Sequence, residues 1–139
     1  MLVIHENRGL NPHIEDVTRR MALAGFTALG LDFLTPLGGT PKDPDEARAL
    51  FPKLAADDVL RQGRAALKLL AARPDATGKT GAVGFCWGGA FVNRLAVAAG
   101  NQLDAGVSYY GPAPDPSEAA KVQAPLLIHL AGLDERVNR

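Results

Sequence analysis

The sequence predicts an α/β fold built on a doubly wound, mainly parallel sheet, and three observations lead there. Five apolar runs, Met1 to His5, Phe26 to Leu31, Thr80 to Phe85, Ala105 to Tyr109 and Pro125 to Leu130, lack the polar alternation of half-exposed strands. Segments of helical period separate them, so that strand and helix alternate along the chain. The third run also ends in a glycine-bracketed turn, "VGFCWGG", that leads directly into a helix.

Each element has a local cause. Met1 to His5 reads as a buried strand, followed by the turn "NRGLNP". Asn11 is placed to cap the first helix and Pro12 to open it. Glu15 and Asp16 lie at its positive end. Ile14, Val17, Met21 and Ala24 form its apolar stripe, and Gly25 is placed to end it. Phe26 to Leu31 is the second strand. Three prolines and two adjacent glycines between Phe33 and Pro44 predict an irregular loop. A helix is expected from about Asp57 to Ala72, with Pro74 beyond its end. The third strand, a helix over Gly88 to Ala99, the fourth strand, a short helical piece after "GPAPDP" and the fifth strand complete the chain.

Bulk properties narrow the function classes. A chain of 139 residues fits one domain with its own core. Lys and Arg number 15, as do Asp and Glu, and no run of like charge stands out. Nucleic-acid and membrane partners are therefore not expected. No apolar stretch is long enough to span a bilayer. The opening "MLVIHE" lacks the segments of a signal peptide, which makes a cytoplasmic location the default expectation. Its single cysteine, Cys86, has no partner for an internal disulfide.

Cys86 is the candidate nucleophile. A side chain on a sharp strand-to-helix turn is lifted clear of the sheet, at the cost of strained backbone geometry. The positions two before and two after it are crowded, which calls for glycine at both Gly84 and Gly88. The following helix directs its positive end at the sulfur, and the Trp87 N–H is available to an oxyanion. Taken alone, Cys86 is also compatible with a small buried hydrophobe. A phosphate-binding loop is a poorer match, because "GFCWGG" lacks the lysine and spacing of a P-loop.

Four stretches, "IHENRGLNPHIEDVTRRMALAGFTALGLDFL", "VGFCWGG", "VSYYG" and "APLLIHLAGLDERV", resemble the dienelactone hydrolase family, a cysteine branch of the α/β-hydrolase fold. The resemblance covers nearly the whole chain. It implies a lactone or ester hydrolase with a Cys–His–Asp triad, acting on a small-molecule substrate without cofactor or metal. By this resemblance Cys86 is the nucleophile, Asp134 the acid that orients the histidine, and Glu6 an auxiliary carboxylate that takes the thiol proton. Asn7 supplies the second oxyanion N–H, opposite Trp87. The family topology implies strand order 2-1-3-4-5. Glu6, Cys86 and Asp134 then share the carboxyl edge of the sheet, where open α/β folds bind ligands.

Blander roles exist for most of these residues. Asp134 alone reads as a turn former, and Glu6 as a loop charge paired with Arg8. Tyr109 and Tyr110 fit core packing as well as a pocket wall, and Arg48 fits a solvated surface as well as an anionic substrate. None of His5, His13 and His129 matches the triad histidine, which in the family lies well beyond the aspartate. The chain therefore reads as one domain over 1–139, the central part of a longer hydrolase shortened at both ends and impaired without its base. Apolar faces left uncovered would favour self-association. The alternative is a non-catalytic α/β domain that binds a ligand or partner at the same edge.

Overall fold

The computed structural model describes residues 1–138. Strand β1 (Leu2–Ile4) is paired along both edges and covered by helices on both faces, so its three side chains are wholly buried. One neighbour is β2 (Leu29–Leu31) and the other β3 (Gly81–Phe85), followed outward by β4 (Ala105–Tyr109) and β5 (Leu126–His129). All four pairings are parallel, in the expected order 2-1-3-4-5. The chain steps from β1 to one side and returns past it to the other, so the topological switch lies between β1 and β3.

Alternate residues of the strands feed two cores. Leu2, Ile4 and Ala82 pack with α3 (Ala56–Ala71) and α4 (Trp87–Ala98), through Val59, Leu67, Leu70, Phe91, Val92 and Leu95. Val3 and Val83 face α1 (Pro12–Leu23) through Ile14 and Val17. The start of α1 follows the expected chemistry, with Asn11 Oδ1 accepting from the Ile14 N–H at 3.1 Å. Gly25, at φ +95°, lies just past its end.

Two features differ from the sequence reading. The stretch expected as irregular loop, Phe33 to Pro44, leads into a short helix, α2 (Pro44–Leu50), where the sequence reading assigned no element. Asp43 caps it, accepting from the Asp45 N–H at 2.7 Å, and Pro44 opens it. Its proline signalled a helix start rather than loop. In addition, β5 is not buried on both faces, since Leu127, Ile128 and His129 are all exposed. Periodicity alone cannot reveal which apolar strand stands at the edge of a sheet. No helix among the described residues is long and apolar enough to cross a membrane.

Candidate active site

The register of the sheet assembles the site. Ile4 lies opposite Gly84, and Phe85 opposite Tyr109. The residues that follow these strands, Glu6 and Asn7, Cys86, and Tyr110, therefore emerge together at the carboxyl edge.

Cys86 holds φ 54° and ψ −112°, a conformation that L-residues rarely adopt and that costs on the order of 1–3 kcal/mol. The surroundings enforce it. The Cys86 N–H donates to Tyr109 O at 2.9 Å, and its carbonyl accepts the first helical bond of α4 from Ala90 at 3.0 Å. Ser108 Oγ, fully buried, donates to Gly89 O at 2.9 Å and ties the same turn to β4. A Cβ on Gly84 would collide with the backbone of Gly88. One on Gly88 would lie 2.5 Å from Ile4 O and 2.6 Å from His5 O. Gly84 is thus required by the turn itself, whereas Gly88 is required by the close approach of α4 to β1.

Cys86 opens into a cavity of about 510 Å³ lined in part by Asn7, Arg48, Phe51, Trp87, Pro112 and Arg136. As the first residue of α4, Trp87 has an N–H without an intrahelical acceptor. The Asn7 N–H donates to no group among the described residues. Both residues expected to supply oxyanion amides therefore line the sulfur's cavity, and neither N–H has an acceptor among the described residues.

Glu6 does not pair with Arg8, which instead reaches Asp45 at 3.0 Å. Its carboxylate accepts from Tyr110 Oη at 3.3 Å. Tyr110 itself stands at φ 42°. Burial pushes its phenol above the ordinary range, with further upward contributions from the negative charges at Glu6 and Cys86. The structure thus brings Tyr110, whose place the sequence left undecided, against Glu6, while Tyr109 stacks between Phe85 and His129.

The sequence model of the dienelactone hydrolase family matches residues 1–139. The chain belongs to the dienelactone hydrolase family. A hydrolase fragment of Escherichia coli K12, YghX, is 56% identical over 50 residues, which cover 36% of this chain and 43% of that protein. A human carboxymethylenebutenolidase homolog is 34% identical over 114 residues, covering 79% of this chain and 45% of its own length. The crystal structure of a dienelactone hydrolase-like promiscuous phosphotriesterase from metagenomic libraries superposes with a TM-score of 0.79 at 30% identity. That match covers 96% of this chain and 57% of the other. The chain spans about half the length of these relatives.

Within this dienelactone hydrolase family chain, Asp134 lies after β5, and its local role is that of a turn former. Its Oδ1 accepts from the Arg136 and Val137 N–H groups, each at 3.0 Å, which leaves Oδ2 without a hydrogen bond among the described residues. The turn carries Arg136 to the Cys86 cavity, a contribution the sequence reading missed. None of the three histidines hydrogen-bonds Cys86 or Asp134 among the described residues. His5 is wholly buried, and burial pushes its pKa down despite the nearby Asp32 carboxylate. His129 stacks on Tyr109 with ring centroids 4.3 Å apart.

Proposed function

We propose that the protein carrying this segment hydrolyses ester or lactone bonds through a thioester on Cys86. The observation that carries the reading is the strained Cys86 backbone at the head of α4, beside two amides with no other acceptor. The Cys86 sulfur attacks the carbonyl carbon, and the carbonyl oxygen gains the negative charge that the Trp87 and Asn7 N–H groups receive. Collapse breaks the C–O bond, so that a lactone opens or an alcohol departs with a proton. Water then cleaves the thioester to the acid and restores the thiol.

Proton movement in this scheme belongs to a histidine other than His5, His13 and His129, oriented by Asp134. Glu6 governs the charge on the resting sulfur and takes its proton as the ester binds. Arg48 and Arg136 at the cavity rim suit a substrate that itself carries a carboxylate.

The test uses p-nitrophenyl acetate and the 139-residue chain. The expected result is a burst of p-nitrophenolate near one equivalent per chain, abolished by Cys86→Ala, followed by slow or no turnover. A burst that persists in Cys86→Ala would place the chemistry elsewhere.

A further inference from the structure

We propose that His5 is the positioning residue of the oxyanion site, setting the Glu6–Asn7 peptide so that the Asn7 N–H faces the Cys86 cavity. The inference rests on the thioester reading above and goes beyond it by naming what holds one of the two donors in place.

The ring's hydrogen bonds fix its tautomer. His5 Nε2 accepts from the Phe33 N–H at 3.1 Å, so in the neutral imidazole that nitrogen carries the lone pair and Nδ1 carries the proton. Nδ1 lies 2.8 Å from Glu6 O and therefore donates to it. Burial favours this neutral form, against the opposing pull of Asp32 Oδ1, 4.0 Å from Nε2.

Peptide geometry carries the effect one atom further. All peptide bonds of the described residues are trans. The Glu6 carbonyl and the Asn7 N–H belong to one planar unit and point in opposite directions. With the carbonyl pinned toward the His5 ring, the Asn7 N–H must point away from it. Asn7 lines the Cys86 cavity, and its N–H has no other acceptor among the described residues. Were this peptide to flip, a carbonyl dipole would replace the donor and repel the developing negative oxygen.

The ring cannot easily turn to release the carbonyl. It stacks on Trp87 at 5.5 Å and 14°, with Phe33 and Phe51 edge-on at 5.6 and 5.7 Å. His5 thus touches both halves of the oxyanion site, the Trp87 side chain directly and the Asn7 amide through the peptide it holds.

Two reactions of the same sulfur separate this role from simple structural support. Acylation by p-nitrophenyl acetate passes through an oxyanion, whereas alkylation by iodoacetamide displaces iodide at a saturated carbon and does not. The side-chain amide of His5→Gln reaches the Nε2 position and can serve Phe33, but offers no donor at Nδ1. His5→Asn places an N–H near Nδ1. We expect His5→Gln to slow acylation about ten- to a hundredfold, with alkylation within about twofold of the parent chain. His5→Asn should recover most of the acylation rate. An unchanged ratio of the two rates in folded His5→Gln overturns the inference. If circular dichroism shows His5→Gln unfolded, a collapsed acylation-to-alkylation ratio in folded His5→Asn overturns it instead. Failure of the parent chain to acylate would remove the thioester reading itself, and this inference with it.

Discussion

Tyr110 Oη donates to Glu6 Oε1 at 3.3 Å, joining residues 104 positions apart in the chain across the mouth of the Cys86 turn. The phenol O–H dipole screens part of the field of a carboxylate that would otherwise oppose negative charge on the sulfur more strongly. Tyr110→Phe should therefore slow iodoacetamide alkylation of Cys86 near neutral pH, by about two- to fivefold, and Glu6→Gln should accelerate it. Rates measured across a pH series check both signs.

The glycine pair should tolerate no side chain. Gly84→Ala meets the Gly88 backbone and Gly88→Ala meets the carbonyls of Ile4 and His5, none of which is a flexible side-chain end. Each substitution should cost about 2 kcal/mol or more, read as a lower urea midpoint at unchanged slope. The two should differ in cause: the first distorts the Cys86 turn, and the second pushes α4 away from β1.

Burial of neutral His5 makes stability depend on pH. Its folded pKa is lowered from 6.5, so the unfolded chain binds the extra proton first as pH falls. The contribution is complete above about pH 6.5, declines as pH drops below that value, and is exhausted once pH passes the folded pKa. Urea midpoints at a series of pH values should fall through this window, and His5→Asn should flatten that part of the profile.

A second cavity, about 170 Å³, borders the first, and the two share Phe51, Trp87 and Ala90 in their linings. Leu54, Val59 and Phe91 make it apolar, and its volume is close to the roughly 150 Å³ that accommodates a benzene ring. Phenylacetyl esters should therefore acylate Cys86 faster than acetyl esters of the same leaving group. Ala56, exposed at the start of α3, lines this cavity, and Ala56→Trp should erase the preference without disturbing acetyl transfer.

At the far edge, Leu127, Ile128, Leu130 and Leu133 are exposed, Leu133 at 97%. An apolar edge strand invites pairing with another chain. Sedimentation over a range of concentrations should show association, reduced when Leu127 and Leu133 are both replaced by Lys.

The legible parts of the molecule were those written in local chemistry. Asn11, Pro12 and Gly25 bounded α1, and "VGFCWGG" marked the Cys86 turn, because capping and crowding act within a few residues. Strand order followed from family resemblance rather than from any property of the strands. Contacts across the fold left no local mark: Arg8 chose Asp45, Glu6 received Tyr110, and Arg136 reached the cavity through a turn held by Asp134. Nothing local to His5 marks its hydrogen bonds, since pairing with Glu6 O and Phe33 N requires β1 and the loop after β2 to lie side by side.

The most direct measurement is peptide mapping by mass spectrometry of the native chain after brief exposure to p-nitrophenyl acetate. The account predicts one acetyl group, held as a hydroxylamine-labile thioester on Cys86 in the peptide containing "GFCWGG". Acetylation confined to lysines and the amino terminus, with Cys86 modified only after denaturation, would contradict it.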